Sequence, residues 1–166
     1  LDKAYFAELN ALAEQSGSKF LKGYAAILAD STNLRSAVRT LRMGKDSGYL
    51  QEALVSGGSI EPRRVAAAGD GEGLSALYQS TRLADAAVLG AAAVEGGTMT
   101  GFELACDNAV NSYLAEAKLV GYGEEPVIAY LAAVENETTA VRMILTGRLA
   151  GIAPKVIRER LRDLYA

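Results

Sequence analysis

Apolar residues recur at helical spacing from the start of the chain, and no stretch alternates apolar with polar as a half-buried strand would. Asp2 to about Gln15 sets Tyr5, Phe6, Leu9, Leu12 and Ala13 on one helical face. Ser16-Gly17-Ser18 interrupts the pattern, and Ser18 suits the N-cap of a second helix from Lys19 to about Met43. That helix carries Phe20, Tyr24, Ile27, Leu28, Leu34, Val38 and Leu41 on its apolar face, and Gly44 is a natural stop. A short helix around Tyr49 to Val55 is closed by Ser56-Gly57-Gly58-Ser59. A brief helix from Arg63 to Ala68 follows, then a helix from about Leu74 to Val94 anchored by Leu77, Leu83, Ala87 and Val88.

Thr100 and Glu103 have the spacing of a capping box for a helix from Gly101 to Val120. Gly121-Tyr122-Gly123 separates it from a long helix over Pro126 to Leu149, which Gly151 ends. A last helix from Pro154 to Leu164 buries Ile157, Leu161 and Leu164. Pro62, Pro126 and Pro154 all fall at first helical turns, where the missing N–H is harmless. The pattern therefore predicts an all-α fold, a bundle of packed helices.

The two long helices resemble each other. Tyr24-Ala-Ala-Ile-Leu-Ala-Asp30-Ser-Thr-Asn33-Leu34-Arg35 precedes Leu131-Ala-Ala-Val-Glu-Asn-Glu137-Thr-Thr-Ala140-Val141-Arg142 by about 107 residues, and each helix ends in Gly, at Gly44 and Gly151. Asp2-x-Ala4 and Asp107-x-Ala109 extend the likeness to the preceding helix. The expected organisation is an internal helical repeat, with residues 1–100 as the first unit and 101–166 as the second, sharing one core. Positions five apart on a helix differ by about 140°, so the acid and the Arg of each copy, Asp30 with Arg35 and Glu137 with Arg142, face different neighbours. They are candidate structural charges that tie a bundle together; two solvated charges are the alternative.

Composition narrows the chemistry. The chain of 166 residues has no His, which removes histidine metal sites, Ser-His-Asp and Cys-His catalysis. Cys106 is the only Cys and reads as a small core residue in a reducing compartment. Gly69-Asp70-Gly71-Glu72-Gly73 lacks the spacing and context of a phosphate loop and reads as a flexible surface turn. The acid pairs Asp70/Glu72 and Glu135/Glu137 lack the ligand spacing of a Ca²⁺ loop and read as solvated charge. No cofactor is expected, and an all-α enzyme finds no acid–base constellation. The net charge of −3 gives no global field for nucleic acid, although residues 142–166 sum to +4 against −7 elsewhere. Arg35, Arg39 and Arg42 form an i, i+4, i+7 stripe, open to two readings: a docking stripe for an acidic partner or phosphate, or a solvated face with Arg42 near the helix C-terminus. Arg158, Arg160 and Arg162 spread over more than one face. No apolar run is long enough to span a bilayer. Because the first residue is Leu and helical pattern begins at once, a further N-terminal part is expected.

The stretch from Pro126-Val-Ile-Ala-Tyr130 through Glu135-Asn136-Glu137, Arg142, Gly147-Arg148, Gly151-Ile-Ala-Pro154 and Leu161 to Tyr165 resembles the end of the C subunit of the V/A-type ATPases, the counterpart of the d subunit of the eukaryotic vacuolar enzyme. Phe20-Leu-x-x-Tyr24 through Asp30-x-x-Asn33-Leu34-Arg35-x-x-x-Arg39 resembles an internal helix of the same family. Ala140 departs from the family's frequent Asn at that place, and residues 57–97 carry no match. The resemblance implies a non-catalytic rotor part covering roughly the C-terminal half of the family's chains. It further implies a place on the cytoplasmic side, peripheral to the membrane, between the central shaft of D and F subunits and the membrane ring of proteolipid subunits. A helical adaptor or regulator unrelated to the ATPase, binding through the Arg35–Arg42 stripe, is the alternative.

Overall fold

The computed structural model describes residues 2–163, which contain nine α-helices, one 3-10 turn and no strand. They divide into two compact units, Leu1–Val110 and Asn111–Ala166. Leu164, expected to be buried at the end of the last helix, lies outside the described residues.

In the first unit α1 (Asp2–Ser16) leads to α2 (Lys19–Arg42), whose first turn is capped by Ser18 accepting from the Leu21 N–H. Phe6 and Ala13 of α1 are buried, whereas Tyr5 and Leu12 from the same expected face are exposed. One short helix does not need its whole apolar stripe covered. α3 (Ser47–Ala53) starts on an Asp46 cap, and α4 (Pro62–Ala67) starts with its Pro in the first turn. The core gathers Leu34 and Val38 of α2 with Leu50, Val65, Leu74, Tyr78, Leu83 and Phe102. Burying each such side chain contributes about 1.5–3 kcal/mol.

The helix expected over residues 74–94 is two helices, α5 (Gly71–Tyr78) and α6 (Ala84–Val94). Between them the Thr81 hydroxyl donates to the Tyr78 carbonyl (2.8 Å) and accepts from the Leu83 N–H (3.1 Å). A short polar side chain here competes with the helical ladder and turns the chain. The break leaves Leu83 and Ala87 inside but puts Val88 outside. The Gly-rich run 69–73 is an exposed turn only at Gly69 and Asp70, and Gly71 to Gly73 already belong to α5. Asp70 caps α5 by accepting from the Gly73 N–H (2.7 Å), and Gly71 is buried against Ala91. α6 in turn crosses α2 closely because its inner face is Ala86, Ala87, Gly90 and Ala93; a Cβ on Gly90 would lie 2.8 Å from Val38 Cγ2.

α7 (Met99–Ala115) begins earlier than expected and gives way to a 3-10 turn over Glu116–Leu119. Thr100 therefore sits inside its first turn and is not the cap, and Glu103 faces α2 instead of its own helix end. In the second unit α8 (Glu125–Leu149) and the short α9 (Pro154–Arg158) pack together where Ile157 meets Gly147. α9 stops well before residue 164, and Leu161 is only half-buried. The segment after α9 is tied down by side chains: Asn136 Nδ2 donates to Asn111 Oδ1 (2.9 Å), Asn111 Nδ2 to the Asp163 carbonyl (3.0 Å), and Arg162 to Asn136 Oδ1 (3.1 Å).

Candidate functional site

The polar residues singled out on α2 belong to the first unit, Arg35 half-buried and Arg39 and Arg42 exposed. Asp30 is buried, and its carboxylate accepts from the Ser59 N–H (2.9 Å), the Ser59 hydroxyl (2.6 Å) and the Ile60 N–H (3.3 Å). A buried carboxylate is tolerable only with such donors. The loop comes this near because Gly58 has no side chain; a Cβ there would run into the Asp30 carboxylate. One turn on, fully buried Asn33 grips the same segment with both ends of its amide. Nδ2 donates to the Val55 carbonyl and Oδ1 accepts from the Val55 N–H, each at 2.8 Å. Asn10 Nδ2 adds a bond to the Ser56 carbonyl (3.0 Å). The Tyr78 hydroxyl donates to the Asp30 carbonyl (3.4 Å); burial, and then the Asp30 charge, push its pKa up.

Arg35 and Arg39 reach across to α7. Arg35 Nη2 donates to Asp107 Oδ1 (2.5 Å) and to the Glu103 carbonyl (3.3 Å). Its Nε lies 2.9 Å from Glu103 Oε2, close enough for an ion pair but not aligned for a hydrogen bond. Burial works against the charge of this guanidinium, but Asp107, with Cys106 and Glu103, outweighs it and holds the pKa above the ordinary value. Arg39 donates to Glu103 Oε1 through Nε (3.2 Å) and Nη2 (2.6 Å). Arg42 Nη1 donates to the carbonyls of Ala93 (3.0 Å) and Gly97 (2.7 Å), where a cation offsets the exposed carbonyls ending α6. The arginine stripe is thus bonded to its own chain at all three positions; Arg35 ties α2 to another helix, as the reading of it as a structural charge has it, whereas the two readings of the stripe as a whole left out the internal partners of Arg39 and Arg42.

The counterparts on α8 stand differently. Glu137 and Arg142 are exposed, and neither side chain has an ion pair among the described residues. Glu135 is exposed as well, as are Asp70 and Glu72. Cys106 is buried and free, and burial pushes its thiol up to about 12. Sequence reasoning missed Ser59, Glu103 and Asp107 as partners. The last two carry a legible signal, two acids four apart on a helix, matching the Arg35–Arg39 spacing.

Most donors and acceptors of this site bond one another; the buried Ser31 hydroxyl and Arg35 Nε are the two buried side-chain atoms among the described residues without a hydrogen-bond partner. Among the described residues no group of three His, Cys, Asp or Glu is placed to hold a metal ion. None of the described helices is long and apolar enough to cross a membrane. An open groove of about 280 Å³ in the second unit, between Met143, Gly147, Ile152 and Ile157, is largely apolar. Fold and site together define an all-helical module held by internal ion pairs and side-chain clamps.

A family model described as ATP synthase (C/AC39) subunit matches residues 1–160, and the chain belongs to that family. It is 24% identical over 166 residues to the C subunit of the V-type sodium ATPase of Enterococcus hirae, covering 99% of this chain and 50% of that protein. It is 29% identical over 172 residues to the C subunit of the A-type ATP synthase of Halobacterium salinarum strain R1, covering 97% of this chain and 48% of that protein. The chain thus spans about half the length of the curated relatives it matches. No solved structure matches it.

Proposed function

We propose that this chain is a non-catalytic part of the central stalk of a V/A-type ATPase, passing torque between the shaft of D and F subunits and the membrane ring of proteolipid subunits. The observation that carries the reading is the family match over residues 1–160. The relatives are named as the C subunits of a V-type sodium ATPase and of an A-type ATP synthase, which supports a place for this chain in an enzyme of that kind. A torque-bearing spacer needs elements that do not shear. In the first unit α2 is bonded to α7 by Arg35 and Arg39 and to the 55–60 loop by Asp30 and Asn33, cross-links between segments far apart in sequence. ATP chemistry belongs to other subunits in this reading, and the chain sits at the cytoplasmic face of the membrane as a peripheral component.

The test is binding of the full chain to two separate baits, the purified D–F shaft and the detergent-solubilised proteolipid ring. Saturable binding to either one, with no nucleotide turnover by the chain itself, is the expected result. No binding to either, from chain that is helical by circular dichroism, overturns the view that this half of the family's length carries the coupling contacts.

A further inference from the structure

α8 resembles α2 in sequence 107 residues on, and the likeness extends to α9: Ile157 is buried 107 residues after Leu50, which α3 buries. The segment that covers α2 in the first unit, α4 to α6, has no counterpart among the described residues of the second. The effect on equivalent positions is large. Ile27, Leu34 and Val38 are 6%, 0% and 0% exposed, whereas Val134, Val141 and Leu145 are 43%, 55% and 57% exposed. Val127, Leu131 and Leu149, also exposed, extend this row along the helix, all six within about 40° of one line at 100° per residue. Single exposed apolar side chains need no explanation, but a continuous row marks an interaction surface. Beside the row stands exposed Arg142, without the two carboxylates that hold Arg35 at the equivalent place.

We propose that this face of α8 seats a helical segment built like α4–α7 of the first unit, supplied by the half of the family's polypeptide that this chain does not span. The first unit specifies the chemistry of that segment. A helix of Ala and Gly crosses the row closely, as α6 crosses Val38 with Gly90, and a following helix brings two carboxylates one turn apart to Arg142. The relatives, about twice as long as this chain, have the length to provide it. The inference rests on the family membership and on the two copies, not on rotor coupling; binding to shaft and ring can fail while it holds.

The tagged full chain is co-expressed with the unmatched half of the Enterococcus hirae relative. The two are expected to co-purify one to one. Leu145→Asp, a change at a water-exposed position that leaves the melting temperature of the chain alone unaltered, abolishes co-purification. Arg142→Glu weakens it about tenfold. Recovery of a soluble partner half only when the wild-type chain is present also supports the seat. A partner half that stays unbound or aggregated beside the wild-type chain overturns it, as does a complex that Leu145→Asp leaves intact. A dimer of the chain that Leu145→Asp dissolves, and that excludes the partner half, assigns the face to a second copy and overturns it too.

Discussion

Ile27, Leu34 and Val38 of α2 are enclosed by their own unit, while Val134, Val141 and Leu145, at the same places of α8, face water. The polar positions split in the same way. Asp30 and Asn33 grip the 55–60 loop, but Glu137 is exposed and Ala140 has no amide to grip with. Arg35 holds two acids and Arg142 holds none among the described residues. The two helices thus share an apolar pattern and differ in what covers it. A helix's stripe states which face prefers to be dry; whether it becomes dry depends on elements elsewhere in the chain.

The sharpest way to break this comparison is to truncate the same position in both helices. Leu34→Ala removes a fully buried side chain from a packed core and is expected to cost about 2–5 kcal/mol. Val141→Ala trims a side chain already in water and is expected to cost less than about 0.5 kcal/mol. Urea unfolding followed by circular dichroism measures both, and equal costs would mean that α8 is covered as α2 is.

A smaller effect sharpens the polar side of the contrast. Asn33→Ala strands the N–H and carbonyl of buried Val55 and is expected to cost about 2–3 kcal/mol. Amide exchange in residues 54–60 should quicken with it; a loop that stays protected would show that Asp30 holds it alone.

A graded effect concerns alkaline pH and belongs to the buried core of the first unit. The Cys106 thiol is raised from 9.0 to about 12, so below pH 9 it is protonated whether the chain is folded or not. Between those values the unfolded chain releases the proton and the folded chain keeps it. Stability should therefore fall as pH rises, by at most about 1.4 kcal/mol per pH unit for one proton. Cys106→Ala should flatten that fall, whereas an unchanged slope would assign it to Tyr78.

Several features were legible in advance because their causes are local. Ser18 as a cap, prolines in first turns and the end of α2 next to Gly44 follow from contacts within a few residues. The break at Thr81 was not legible, since Gln79-Ser80-Thr81-Arg82 contains neither Gly nor Pro, and a single hydroxyl bonding the Tyr78 carbonyl decides it. Glu103 misled for the opposite reason. Its spacing from Thr100 fits a capping box, but Arg35 and Arg39 on another helix present a stronger, charge-assisted partner. The loop held by Asp30 and Asn33 lies 22 to 30 residues away from them, beyond the reach of any periodicity.

The sequence by itself determined the helical class and most helix starts, because backbone ladders and caps join residues three or four apart. Only the tertiary structure decided which copy's apolar face is enclosed and which arginines have carboxylates. Those outcomes depend on helices separated from α2 by tens of residues, and the apolar stripes of α2 and α8 carry no record of whether such helices are there to meet them.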